Sequence, residues 1–248
     1  MKNKELLLEI SYKCNLNCMH CSSIKCEGKI KVSELPYYLY DSENQKNLLD
    51  EIETVRISGG EPTLLDNLND YVNFFYDRDI KVILQTNGIS NYTDYFKLKN
   101  VDEFWISLFG ERCIHDFIVQ KTGSYQKTIS NILKIRDTIL SKVVIQTPVF
   151  NYPQLCSFGR IPNDIGNKYN LRLFALLNQG RCNFALPIEQ QIKISQKFYN
   201  SYKDYVNIDL TCSLDDTKCN YENKLVLKPD GSLFNCASHK HGRTLCKK

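Results

Sequence analysis

The sequence has no long hydrophobic run, no secretion signal and no strong excess of one charge. No window of its 248 residues approaches the roughly 18 apolar residues that a membrane span needs. The run of three leucines before Glu9 is too short for a signal peptide. Lys and Arg number 32 against 28 Asp and Glu, and a net charge of +4 is too small to indicate a nucleic-acid-binding protein. We therefore expect a cytoplasmic protein with neither a membrane nor a nucleic acid as partner.

Cysteine is the residue type in excess. There are 11 cysteines, an odd number, and a reducing cytosol disfavours a disulfide framework. Clustered cysteines in such a protein indicate metal binding or catalysis. They gather near both ends of the chain, at positions 14, 18, 21, 26, 113, 156, 182, 212, 219, 236 and 246. We expect Cys26 to be a bystander, and Cys113 and Cys156 to be plain buried residues.

Short apolar runs alternate with stretches of helical spacing along most of the chain. The candidate strands are 6–10, 54–58, 81–86, 103–108, 143–149 and 171–177. Several are apolar on both faces, as buried parallel strands are. Six strand–helix units predict an α/β fold with a parallel sheet, and they fall short of the eight units of a closed barrel. We favour an open, partial (β/α)6 TIM-like barrel, although periodicity alone also allows a flat doubly wound sheet.

The pattern changes after Pro187. A helix is predicted from Ile188, followed by strand-like runs at 205–210 and 224–227. Lys228-Pro229-Asp230-Gly231 has the composition of a tight turn before a returning strand at Leu233. We therefore predict a core over residues 1–180 and a small extension of helix and β-hairpin over residues 181–248.

Three cysteines follow the first strand within eight residues, at Cys14, Cys18 and Cys21. Thiolates so close together on one loop can converge on one inorganic centre. An iron–sulfur cube with three protein thiolates keeps one iron free for a small molecule. The alternative is a structural zinc site with His20 as the fourth ligand.

The CxxxCxxC spacing resembles that of the radical S-adenosylmethionine (radical SAM) superfamily. Further segments at the ends of later strands are similar to family motifs, in the family's order. They are Ser58-Gly59-Gly60-Glu61-Pro62, Thr86-Asn87-Gly88, Ile106-Ser107-Leu108-Phe109-Gly110, His115-Asp116 and Gly123-Ser124-Tyr125. The resemblance covers roughly residues 5 to 180 and places each motif where such folds have their sites.

This resemblance implies a 4Fe-4S cluster on the three cysteines and S-adenosylmethionine (SAM) on its free iron. It also implies that SAM is reductively cleaved and that the 5′-deoxyadenosyl radical takes a hydrogen atom from the substrate. We expect the two glycines to let the backbone approach a ligand and Glu61 to receive an ammonium group. For Gly59-Gly60, the alternative is an ordinary turn. For Ser107, the alternative is a strand-end hydroxyl that forms a hydrogen bond to the backbone. The expected cofactor contacts are Gly59, Gly60, Glu61, Pro62, Thr86, Asn87, Ser107 and His20.

Three positions depart from the family pattern. His20 stands where an aromatic residue is frequent, Phe109 where a polar one is frequent, and Val119 where Arg is frequent. The SAM carboxylate must therefore find another cation. Lys121 and Arg181 are the candidates, and each could equally be a solvated surface charge.

A second group of cysteines lies near the carboxyl end. Cys219, eleven residues, Gly231, four residues and Cys236 resemble the opening of a SPASM/twitch domain, which implies an auxiliary iron–sulfur cluster beside a hairpin. The chain has only Cys246 beyond that point, so we expect a shortened version. The alternative is a structural zinc site that also uses His239 or His241. The preferred ligands are Cys219, Cys236 and Cys246, with Cys212 or Cys182 as the fourth.

The substrate is left open among three classes. A ribosomally made peptide is favoured, because many SPASM/twitch relatives modify peptides. No leader-binding domain precedes Leu6, so a separate leader-peptide-binding partner is expected. The alternatives are radical dehydrogenation of a small molecule such as an aminocyclitol or sugar, and a non-enzymatic iron–sulfur or zinc module. By resemblance, the reductant is a flavodoxin or ferredoxin.

Overall fold

A computed structural model describes residues 2–22, 28–139, 141–165, 169–211, 213–215 and 223–235. The strands are β1 (Lys4–Glu9), β2 (Tyr40–Asp41), β3 (Lys46–Asn47), β4 (Ile52–Ser58), β5 (Lys81–Thr86), β6 (Glu103–Ser107), β7 (Lys142–Val149), β8 (Asn170–Ala175), β9 (Asn207–Leu210), β10 (Lys224–Leu227) and β11 (Leu233–Asn235). The helices are α1 (Leu35–Tyr38), α2 (Leu68–Tyr76), α3 (Tyr92–Phe96), α4 (Arg112–Val119), α5 (Ser124–Thr138), α6 (Tyr152–Ser157), α7 (Pro162–Ile165) and α8 (Ile188–Tyr202).

One sheet of nine strands organises the described residues, in the order β11-β10-β1-β4-β5-β6-β7-β8-β9. All of its neighbouring pairs are parallel except the β10–β11 hairpin. The six predicted strands β1 and β4–β8 lie side by side in sequence order, with bounds within two residues of the prediction. The predicted parallel α/β fold is confirmed.

The carboxyl-terminal strands belong to the same sheet. β9 pairs with β8 at one edge, and β10 pairs with β1 at the other. The tight turn forms as predicted, with Gly231 at a φ of +81° and its amide donating to the carbonyl of Lys228 at 2.9 Å. The division at residue 180 stays a prediction, but the strands beyond it extend both edges of the barrel sheet.

The two faces of the sheet differ in chemistry. One face packs under the helices, where Leu8, Ile57 and Phe104 are fully buried. The opposite face includes charged residues such as Arg56 and Arg172 beside apolar ones. The expectation that several strands are buried on both faces is confirmed for β5, β6 and β7, in which consecutive residues are buried.

Helix α5 begins at Ser124 and is capped by a residue from another helix. Gly123, at a φ of +81°, is the residue before the first turn. The Asp116 carboxylate accepts the amide hydrogens of Gly123 and Tyr125, each at 2.7 Å, and so caps the helix from α4. This contact explains why the His-Asp and Gly-Ser-Tyr segments occur together.

Two expectations about single cysteines and one about membranes can be compared with the structure. Cys113 is exposed and Cys156 is only half-buried, so the prediction of plain buried residues is wrong for Cys113. Cys26 lies outside the described residues.

No helix in the described part of the chain has both the length and the apolarity to cross a membrane.

Candidate active site

The cysteine loop, residues 10–22, leaves the carboxyl end of β1 and carries Cys14, Cys18 and Cys21. Cys14 is exposed, Cys18 and Cys21 are half-buried, and none of the three forms a disulfide. The carboxyl ends of β4, β5 and β6 meet at the same edge of the sheet, because the strands are parallel. The structure therefore brings the first cysteine group to the edge that also carries the other motifs.

The two glycines after β4 pack against this loop. The amide of Gly60 donates to the Ser11 carbonyl at 2.7 Å, and the amide of Glu61 donates to the Lys13 carbonyl at 2.8 Å. A Cβ atom on Gly59 would overlap the Ser11 carbonyl oxygen, and one on Gly60 would overlap that of Lys13. We expected these glycines to admit a ligand, but the close approach in the structure is to the cysteine loop itself.

Three other segments hold the same loop. The Asn87 side-chain amide donates to Asn15 Oδ1 at 2.8 Å, and the Met19 amide donates to the carbonyl of Ile118 at 2.9 Å. The amide of Arg181 donates to the Cys21 carbonyl at 2.9 Å. Together with β4, the end of β5, the end of α4 and the residues after β8 fix the loop from several sides. The three thiols are thus positioned by the fold itself.

Glu61 joins the ends of β4 and β5. Its side chain is 2% exposed, and its Oε1 accepts hydrogen bonds from the hydroxyls of Thr63 and Thr86, both at 2.6 Å. Its Oε2 accepts from the Asn87 amide at 2.7 Å. Burial raises the pKa of Glu61, and these donors partly offset that effect. An ammonium group would have to compete with these bonds, so contact with SAM stays a prediction, as it does for the buried Pro62.

Ser107 stands at the end of β6, half-buried on the inner face. Its Oγ accepts a hydrogen bond from Gln146 Nε2 of β7 at 3.3 Å. This is a side-chain contact and not the backbone bond of the alternative reading. Ser107 and Gln146 are paired across the strands, so both line the edge of the inner face next to the motif region.

The three departures from the family pattern lie together. Phe109 and Val119 belong to one buried cluster that also contacts Cys18. The His20 ring packs edge-on against Phe109, with centroids 4.5 Å apart, and against Phe150 at 5.3 Å. Burial lowers the pKa of His20 to about 4, so its ring is neutral at pH 7. His20, Phe109 and Val119 thus form one largely apolar surface, the apolar wall, on one side of the cysteine loop.

The two candidate cations for a carboxylate lie in different places. The guanidinium of Arg181 contacts Asn17 Oδ1 within the cysteine loop, and its charge lowers the pKa of both Cys18 and His20. Lys121 is exposed beyond α4, and its amide donates to the Asp116 carbonyl at 3.1 Å. Of the two, Arg181 is the one that the structure brings to the loop.

The thiols are close enough to influence one another. Burial, followed by the charges of Cys14 and Cys21, raises the pKa of Cys18 to about 12. A bound cation would reverse this effect, because metal binding takes the thiolate form and releases the proton. In the described ranges, no three His, Cys, Asp or Glu side chains lie close enough to hold a single metal ion. A cube instead binds each cysteine to a different iron, and three free thiols on one loop fit such a group.

The second cysteine group is almost entirely beyond what the structure shows. Cys212, Cys219, Cys236 and Cys246 lie outside the described residues, as do His239 and His241. Cys182 is buried and directly follows Arg181, so its backbone lies beside the first cysteine group.

The sequence did not reveal several residues that shape the site. Asn131 of α5 donates to the carbonyls of Gly88 at 2.7 Å and Ser90 at 2.8 Å, which fixes the segment after β5. Asn15 and Gln146 were not identified either: Asn15 accepts a hydrogen bond from Asn87, and Gln146 donates one to Ser107. A buried amide on an apolar helix face is the one signal that could have pointed to Asn131, since such a side chain must find hydrogen-bond partners.

A partial α/β barrel with three free thiols on the loop after its first strand is the arrangement of an enzyme that holds a metal cluster at its carboxyl edge. The chain belongs to the radical SAM superfamily, whose family profile matches residues 8–155. Membership implies a 4Fe-4S cluster and SAM as cofactors.

Three comparisons illustrate the relationship. Mycofactocin maturase MftC of Mycobacterium tuberculosis is 27% identical over 71% of this chain and 45% of its own length. A probable GTP 3′,8-cyclase of Methanocaldococcus jannaschii is 26% identical over 94% of this chain and 84% of its own. The crystal structure of Streptococcus suis SuiB bound to SAM superposes with a TM-score of 0.68 at 12% identity, over 98% of this chain and 63% of SuiB. That likeness shows the fold, and the chain spans about half the length of MftC.

Proposed function

We propose that this chain cleaves SAM reductively and uses the 5′-deoxyadenosyl radical to abstract a hydrogen atom from a ribosomally made peptide. The observation that carries the proposal is the cysteine loop, which β4, β5, α4 and Arg181 fix and whose three thiols are so close that, beyond the effect of burial, Cys14 and Cys21 raise the pKa of Cys18. A 4Fe-4S cluster on Cys14, Cys18 and Cys21 would supply the electron that breaks the sulfur–carbon bond of SAM.

The other side chains then have positioning tasks. Arg181 would pair with the carboxylate of SAM, and Ser107 would contact its ribose or methionine part. The wall of His20, Phe109 and Val119 would exclude water from one side of the site. Thr86 and Asn87, held by Glu61, would fix the floor at the end of β5. These assignments follow from proximity to the loop, and Lys121 remains the alternative cation.

Two relatives support a peptide as substrate. MftC is a maturase, and SuiB has been crystallised with its precursor peptide SuiA in a fold that matches 100% of this chain at a TM-score of 0.69. A small molecule, such as a sugar or aminocyclitol, is the second candidate. The match to a probable GTP 3′,8-cyclase over 94% of this chain favours that class.

An auxiliary iron–sulfur cluster accompanies the proposal, on Cys219, Cys236 and Cys246 with Cys212 or Cys182. Its support is the β10–β11 hairpin itself, in which Asn235 lies opposite Leu225, as the resemblance to a SPASM/twitch opening implies. A flavodoxin or ferredoxin would deliver electrons, and a leader-peptide-binding partner would present the substrate.

The test uses anaerobically reconstituted protein with dithionite and SAM. We expect 5′-deoxyadenosine to form, and the Cys14→Ala variant to form less than about a hundredth as much, because a cluster ligand is lost. Cys113→Ala is the matched control, since Cys113 is exposed and outside the loop. Equal product from the Cys14→Ala variant, or none from the loaded parent, would contradict the proposal. Deuterium transfer from a labelled peptide or sugar into 5′-deoxyadenosine would identify the substrate class.

A further inference from the structure

A cavity of about 400 Å³ opens at the amino-terminal ends of β6–β9. Its lining includes Glu103 and Trp105 of β6, Arg172 of β8, Asp209 of β9 and Lys203, which follows α8. Ser107, where we expect SAM, lies four residues beyond Glu103 on the same face, about 13 Å away along the strand. Glu103, Lys142, Asn170 and Asn207 thus place the cavity at the strand ends opposite the cysteine loop, and Arg172 and Asp209 extend its lining to the register of Ser107.

The charges of this cavity do not balance. Among the described lining residues, three are cations, Lys142, Arg172 and Lys203, and two are carboxylates, Glu103 and Asp209. Glu103 is also engaged by a cation from outside the cavity, Lys81, at 2.7 Å.

Both carboxylates already have partners. Glu103 Oε2 accepts from the Trp105 indole at 2.8 Å, and Asp209 pairs with Arg172 at 3.0 Å. None of the ion pairs within the described residues includes Lys203, and Lys142 reaches Glu103 only at 3.7 Å. Lys203 is thus a cation of the cavity lining that pairs with neither of the described carboxylates.

Stability alone does not account for this arrangement. The amino-terminal face of a barrel normally serves packing, and holding the charges of buried Glu103 and half-buried Arg172 in this cavity costs solvation free energy. The volume lies within the range of small-molecule sites, which is about 300–1,000 Å³. A negatively charged ligand would neutralise the excess and fill the space.

We propose that this cavity is a second small-molecule site, separate from the cysteine loop, that binds a compact organic acid or phosphate ester through Lys142, Lys203 and Arg172. The inference does not depend on the proposed radical chemistry. Trp105 forms one wall, with the Arg172 guanidinium 4.2 Å from the centre of its ring. A ligand that draws Arg172 toward its own charge changes the surroundings of that indole.

The chain has a single tryptophan, so Trp105 reports directly on this cavity. The experiment titrates the reconstituted protein with phenylphosphate, with benzoate and with uncharged phenol, and follows tryptophan fluorescence. We expect a saturable change with at least one of the two acids and none with phenol. The tighter of the two acids identifies the preferred anionic group.

Variants locate the binding site. Lys203→Ala and Lys142→Ala should each raise the dissociation constant about tenfold, as the loss of one charge-assisted contact does. Lys193→Ala, an exposed lysine of α8 outside the cavity, should leave it unchanged. Circular dichroism verifies that each variant is folded, and Lys203→Gln replaces any that is not. A saturable response that both cavity variants retain, a response equal with phenol, or no response to either acid up to about 10 mM would overturn the proposal.

Discussion

Glu61 illustrates how one buried side chain organises this edge of the sheet. It follows β4, and its two carboxylate oxygens receive hydrogen bonds from residues before and after the end of β5 as well as from Thr63. Each of the two Glu61 carboxylate oxygens accepts a backbone amide hydrogen. Residue 61 must therefore carry a hydrogen-bond acceptor at both oxygen positions.

This gives a prediction at the scale of the residue. Glu61→Gln replaces one acceptor oxygen with the NH2 group of an amide, a donor that faces a backbone donor, so it should lower the free energy of unfolding by about 2 kcal/mol. Urea denaturation of the variant and the parent measures the difference. Glu53→Gln, at an exposed position of β4, should change it by less than about 0.5 kcal/mol. Equal stability of the Glu61 variant and the parent would show that the hydrogen bonds are not essential.

At this scale the sequence predicted which residues matter better than what they touch. The motif glycines and Glu61 were identified, but their partners are the cysteine loop and the end of β5. The apolar wall of His20, Phe109 and Val119 could not be predicted, since these residues are far apart in the chain. Only the fold shows that they pack in one place.

The cysteine loop is the element on which the site depends. It has no regular secondary structure over most of its length, and its shape comes from hydrogen bonds to other segments. Gly59 and Gly60 allow the β4 end to contact the loop closely, because a Cβ atom at either position would overlap the loop backbone. A change that displaces the loop should therefore affect metal binding before it affects the fold.

Gly60→Ala tests that dependence. Its Cβ would overlap the Lys13 carbonyl oxygen, so the loop must move, and we expect the iron bound per chain to fall by at least about half of the four atoms of one cluster. Iron assay and circular dichroism measure loading and fold. Gly123→Ala is the control: it has a positive φ but open space around it, so it costs about 1 kcal/mol of stability without moving the loop. Full iron loading in the Gly60 variant would contradict the positioning role.

Strands and helices were predictable where hydrophobic spacing is local. β5 has the predicted bounds, and α2 carries Leu68, Val72 and Phe75 at helical spacing on its buried side. The start of α5 was not predictable, because its cap is the carboxylate of Asp116 in the preceding helix. Nothing in the residues next to Ser124 shows that partner.

The whole molecule is a barrel sheet whose two edges are extended by the carboxyl-terminal residues. The sequence indicated a separate small extension, because the pattern of a strand-like run does not show which strand it pairs with. β9 and β10 in fact pair with the two edges of the barrel sheet. Which edge a strand joins depends on contacts more than 150 residues away along the chain, as between β10 and β1. This pairing places the β10–β11 hairpin beside the first strand.

The central claim is that Cys14, Cys18 and Cys21 hold one iron–sulfur cube. The most direct measurement is the iron content of the triple Cys→Ala variant at these positions after anaerobic reconstitution, beside the parent and a Cys113→Ala, Cys156→Ala control. If the three cysteines hold one 4Fe-4S cluster, we expect a loss of about four irons per chain in the triple variant and no loss in the control. Iron that remains would then belong to the carboxyl-terminal cysteines. Equal iron in the triple variant and the parent, or zinc bound by the three thiols, would contradict it.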